Sequence, residues 1–119
     1  MTGYVDGFVL PIPKKNVAKY RAIARKAGKI WREHGALDYK ECIADDVKPG
    51  KLTSFPQSVA LKPGETVFFS YILFKSRAHR DRVNAKVMKD PRIANMDPSD
   101  MPVDGKRMIY GGFKVAVDE

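Results

Sequence analysis

The run "TVFFSYILF", residues 66–74, is apolar on both of its alternation sets. In an extended chain Phe68, Ile72 and Phe74 share one face, and Val67, Phe69, Tyr71 and Leu73 share the other. A strand of that kind has to be covered on both sides. The rest of the chain must therefore supply two roofs, or supply one and find the other elsewhere. A chain of 119 residues is expected to form one domain, 1–119, which buries roughly two thirds of its unfolded surface and has no room for a second core.

The flanking segments say how much roof is available. "YVDGFVL", residues 4–10, reads as a first strand stopped by Pro11 and Pro13. In "KKNVAKYRAIARKAGKIWREHG" the residues Val17, Tyr20, Ile23, Ala24, Ala27, Ile30 and Trp31 recur at spacings of three and four, with Lys and Arg opposite. That predicts an amphipathic helix closed by Gly35. "ALDYKECIA" alternates Leu37, Tyr39, Glu41 and Ile43 against Asp38, Lys40, Cys42 and Ala44, as an edge strand does. After strand 66–74, Ser76 stands where an N-cap belongs, and "SRAHRDRVNAKVMKD" runs as a second helix with His79, Val83 and Val87 inward until Asp90-Pro91 ends it. "KRMIYGGFKVAV" is the last strand, and Gly111-Gly112 predicts a bulge or a close backbone contact.

The order is β-α-β-β-α-β, which predicts an α+β, ferredoxin-like fold: a four-stranded antiparallel sheet with two helices on one face. The helix-free face would then expose more apolar surface than a monomer tolerates. A second copy would hide it, so a homodimer with sheets face to face is expected, a dimeric α/β barrel.

Composition narrows the class without naming a function. Hydrophobic residues make up 44% and charged residues 30%, and the net charge is +8. The charge is concentrated: 14–34 holds eight Lys/Arg against one Glu, and 75–92 holds seven against two Asp. Apolar runs are too short to cross a bilayer, and the N-terminal stretch reads as a strand, not a signal peptide. With one cysteine, Cys42, no internal disulfide can form, which fits a reducing, cytoplasmic setting.

Five separated stretches, "YVDGFVLP", "WREHGALDYKEC", "DDVKPGKLTSFPQS", "KSRAHRDRVNAKVM" and "MPVDGKRMIYGGF", together resemble the YbaA-like family of small uncharacterised bacterial proteins. The resemblance spans nearly the whole chain. It implies a ferredoxin-like domain that dimerises in the manner of the dimeric α/β barrel superfamily, whose members include heme enzymes, cofactor-free monooxygenases, isomerases and ligand-binding proteins. It implies no catalytic residues.

The chemistry is read from single residues. Asp6 interrupts an apolar strand beside Gly7, and a buried carboxylate can be tuned for proton transfer; a local cap or ion pair is the structural alternative. His79 lies near the first turn of helix two between Arg77 and Arg80, so it could act as acid or base with Arg80 orienting an anionic ligand; a hydrogen bond at the core edge is the alternative. Tyr71 and Tyr110 complete the catalytic candidates. His34 suits a helix C-terminus.

The segment 45–58 has neither strand nor helix periodicity. Its Thr53, Ser54, Phe55 and Gln57 mix an apolar anchor with hydrogen-bonding groups, as a ligand-pocket wall does; cover for a sheet edge or dimer partner is equally open. His34, Cys42 and His79 lack zinc spacing, no Gly-rich phosphate loop occurs, and heme would have only His79, so no metal and no cofactor is expected.

The expected function is binding of a small anionic or oxygenated molecule by a homodimeric α+β barrel, with turnover left open. The alternative is RNA binding through the basic helices: the strand order is also that of the RNA-recognition motif, although "TVFFSYILF" lacks its glycine and basic residue.

Overall fold

The computed structural model describes residues 3–119. Strand β1 (Tyr4–Pro13) leads through a single 3-10 turn into helix α1 (Val17–Glu33), strand β2 (Asp38–Ile43), a one-turn helix α2 (Phe55–Ser58) and strand β3 (Glu65–Phe74). Helix α3 (Arg77–Lys89), the one-turn helix α4 (Pro91–Ala94) and strand β4 (Ile109–Lys114) complete the chain. The sheet is antiparallel throughout, in the order β2-β3-β1-β4. This is the ferredoxin-like arrangement, and β2 lies at an edge as its alternation predicts.

β1 departs from expectation by running through both prolines to residue 13. The Lys14 N–H bonds the Gly64 carbonyl, so the backbone N–H and C=O groups of even-numbered residues on β1 point to β3 and those of odd-numbered residues to β4. β4 pairs with β1 only as far as Val9. Pro11 and Pro13 therefore turn their missing N–H groups to an open side and forfeit no ladder bond.

Helix α1 ends as a Schellman motif. Gly35, at φ 118°, donates its N–H to the Arg32 carbonyl, and the Ala36 N–H reaches back to Trp31. Helix α3 starts at Ser76, whose hydroxyl accepts the His79 N–H, and buries Val83 and Val87. The connection 45–58 is not wholly irregular: Ser54 caps α2 and Phe55 sets its ring against Phe69 at 6.1 Å.

Side chains alternate as the register requires. Tyr4, Asp6, Phe8, Leu10 and Ile12 of β1 and Phe68, Ser70, Ile72 and Phe74 of β3 face the helices. The apolar contacts there split into two clusters. One holds Tyr4, Ile30, Ile72, Phe74, Val83 and Val87, the other Leu10, Ile12, Tyr20, Ala24 and Phe68. Between them the strands place Asp6 and Ser70, both buried and polar. On the helix-free face Phe69, Ile109 and Phe113 remain 45–63% exposed.

Candidate functional site

The gap between the two apolar clusters is an open-sided cavity of about 580 Å³ bounded by sheet, α1, α3 and the chain that follows α3. Its wall is mostly carbon, with Phe8 and Leu10 below, Ile23, Ala27 and Trp31 from α1, and four methionines, Met88, Met96, Met101 and Met108. Methionine adapts its shape to irregular apolar occupants. Arg107 pins the connection that carries three of those methionines. It makes a two-pronged pair with Glu65 at 2.7 Å on each arm and also holds Asp104 at 2.8 Å. That guanidinium keeps the Glu65 carboxyl down at about 2.

Two polar centres interrupt the wall. In the first, Asp6 accepts from Arg80 at 2.6 Å and from the Asn84 amide at 3.5 Å, and Asn84 in turn accepts the Trp31 indole N–H at 3.0 Å. Arg80 also reaches Asp81 at 2.7 Å and lies 5.0 Å above the Tyr4 ring. Tyr4 itself packs where a side chain at residue 112 would stand, which is why β4 carries Gly112 there. The close contact expected of Gly111-Gly112 is thus with an aromatic ring.

The second centre is Glu41 of β2. Its carboxylate accepts from Tyr20 and Tyr39 at 2.8 Å each and from Ser70. Tyr20 and Ser70 share Oε1 and Tyr39 takes Oε2, so three hydroxyls converge on one carboxyl group. Burial, with Glu41 adding its charge, pushes both phenols far above the ordinary tyrosine range. They stay protonated and act as donors.

Of the sequence candidates, Asp6, Arg80 and Tyr110 line this cavity, Tyr110 stacking on Phe8 at 6.2 Å. Tyr71 reaches the cavity only from the far side of β3, since Lys40 is its register partner and its hydroxyl is turned toward Asp38 at 3.5 Å. His79 is not in the wall. Its Nδ1 accepts the Lys75 N–H at 2.9 Å and its ring meets Phe74 edge-on. Burial, with Lys75 nearby, lowers its pKa. The core-edge alternative describes it better than the acid-base one.

Thr53, Ser54, Phe55 and Gln57 also lie away from the cavity. Gln57 accepts from Ser54 and from the Gly50 N–H, so these groups close the loop on itself, and Phe55 covers part of the helix-free face. Trp31 and Glu41 stand out in the sequence only as members of a helix stripe and a strand alternation, and Asn84 and the methionines not at all. The one available signal was Glu41 on the apolar alternation set of β2.

His34 pairs with Asp90 at 2.8 Å where α1 and α3 end, and Asp90, also held by Arg92, titrates well below the usual carboxylate range. Among the described residues no group of His, Cys, Asp and Glu is placed to hold a metal, and no helix is long and apolar enough to cross a membrane.

Comparison with known proteins agrees with this architecture. The fold is similar to a crystal structure described as a dimeric ferredoxin-like protein from an uncultured marine organism, with a TM-score of 0.63 over the full length of both chains at 9% identity. At that identity the likeness speaks to fold alone. The sequence is 47% identical to the uncharacterized protein YbaA of Escherichia coli K12 over 116 residues, covering 98% of each chain. The same identity and coverage hold for YbaA of Shigella flexneri. Residues 3–105 match the family described as "Protein of unknown function (DUF1428)", and the chain belongs to that family.

Proposed function

We propose that the protein is a homodimeric binder of a small molecule, held in the cavity between sheet and helices. The observation that carries this reading is a 580 Å³ space, within the usual size range of ligand sites, whose carbon wall is interrupted by a few convergent polar groups. The occupant would be largely apolar, with one oxygenated or charged end set against Asp6, Arg80 and Asn84. Arg80 would orient that end, and Tyr110 would close on it from β4.

The homodimer rests on the helix-free face, where Ile109, Phe113 and the part of Phe69 that Phe55 leaves open form an exposed apolar surface. The structural neighbour, described as a dimeric ferredoxin-like protein, is consistent with that. The RNA alternative has less support. Such binding would go through the basic helices, and β3 carries neither the glycine nor the basic residue of the RNA-recognition signature.

The test is a fluorescence titration with the neutral probe N-phenyl-1-naphthylamine. Saturable binding, lost in an Ala27→Phe variant that fills the cavity and remains folded by circular dichroism, is the expected result. Undiminished binding in that variant would place the apolar site elsewhere.

A further inference from the structure

A second concave surface lies on the other flank of α1, outside the cavity. It is an open groove of about 750 Å³ between α1 and the edge strand β2. Arg21, Arg25, Lys29 and Arg32 line it in a single row, beside the half-exposed Ile43. Among the described residues Arg21, Arg25 and Lys29 have no ion-pair partner, and Arg32 has only Asp38 at 3.9 Å. The two acids in the groove are already engaged, Glu33 by Arg92 at 2.7 Å and Glu41 by its three hydroxyls.

β2 also offers backbone. Among the described residues of one chain it pairs with β3 alone. The Ala44 N–H bonds the Val67 carbonyl, so the alternation turns the Glu41 and Ile43 amides away from β3 into the open edge. A strand added there would place every second side chain under the row of cations. Those side chains recur about every 6.6 Å, and the cations, one helical turn apart, recur about every 6 Å along roughly 16 Å of α1.

We infer that this groove binds an extended acidic segment of another protein, added as a fifth strand on β2 with alternate Asp or Glu side chains meeting Arg21, Arg25, Lys29 and Arg32. Geometry favours this occupant over a nucleic acid, because the groove offers little ring surface on which a base could stack: Phe68 is buried, and Tyr39 is half-buried with its ring set close against Gly28. The row is also too long for a single small anion. The cavity lies on the opposite flank of α1 and shares only Tyr39 and Glu41 with the groove, and none of the four cations lines it.

The test is fluorescence anisotropy with a labelled peptide of about nine residues, Glu at alternate positions and Thr or Val between. A Kd on the order of 10–100 µM at about 0.1 M salt is expected. An Arg25→Glu/Lys29→Glu variant, checked for fold by circular dichroism, should weaken binding on the order of tenfold or more, and N-methylation of the peptide amides that face β2 should weaken it comparably. Amide chemical shifts of Glu41 and Ile43 should move on titration. Binding that survives N-methylation, a single-stranded oligonucleotide of equal charge that binds more tightly than the peptide, or no saturation by about 1 mM would overturn the inference.

Discussion

Replacing Arg80 by Met takes the cation away from a carboxylate that has little else. The Asp6 side chain is 9% exposed, and its remaining donor, Asn84, stands 3.5 Å away. Leaving one charge of a buried pair uncompensated costs about 3–5 kcal/mol, and the lost contact of Arg80 with the Tyr4 face adds about 0.5–1 kcal/mol. Asp6→Asn is a smaller injury. Arg80 keeps Asp81 at 2.7 Å and the Tyr4 ring at 5.0 Å, and its side chain is 19% exposed, so water shares the burden. That substitution should cost about 1–2 kcal/mol.

The double variant Asp6→Leu/Arg80→Met puts carbon where the wall is already carbon. It should return to within about 1 kcal/mol of the parent or exceed it. Urea unfolding at one fixed protein concentration measures all three, with the slope unchanged. Equal costs for the two single substitutions, or a cost below about 1 kcal/mol for Arg80→Met, would refute the view that Asp6 depends on Arg80 inside an apolar cavity.

Other predictions are more local. Gly28→Ala should gain about 1 kcal/mol of helix propensity and still destabilise, because the new Cβ would stand 2.7 Å from a Tyr39 ring that Glu41 holds by its hydroxyl; chemical unfolding gives the sign. Gly35→Ala should cost about 1 kcal/mol by forcing a side chain into φ 118°. Glu65 has a folded pKa of about 2, depressed by Arg107, against an ordinary value of 4.5. Its stabilisation is therefore complete above pH 4.5 and lost as pH falls toward 2, so wild type and Glu65→Gln should converge in stability over that interval. Phe113→Glu, on the helix-free face, should halve the mass seen by light scattering; a wild type that already runs as a monomer would remove the homodimer from the proposal.

What the sequence made legible was whatever depends on local period. The stripe Tyr20, Ala24 and Ile30, the Ser76 cap, the Val83 and Val87 contacts and the edge position of β2 follow from spacing, and all are present. The site was legible only in part, because it depends on what the fold brings together. Asp6 was conspicuous as a carboxylate in an apolar strand, yet its partner is 74 residues away. Glu41 drew no notice as a site residue because its donors Tyr20 and Ser70 are 21 and 29 residues distant. Ser54 and Gln57 misled for the opposite reason. A polar pair around an aromatic anchor reads the same whether it faces a ligand or caps one turn of helix. The prolines of β1 stopped the predicted strand because only the register shows that their nitrogens face open space.

The most direct measurement is a crystal structure of the protein grown with whichever compound, from a panel of apolar molecules bearing one carboxyl, hydroxyl or carbonyl group, best displaces N-phenyl-1-naphthylamine. The account predicts that compound between sheet and helices, its carbon body among the methionines and Trp31 and its polar end within hydrogen-bond reach of Arg80 or Asn84. A compound seated on the helix-free face, with the cavity closed by inward movement of the chain after α3, would contradict it.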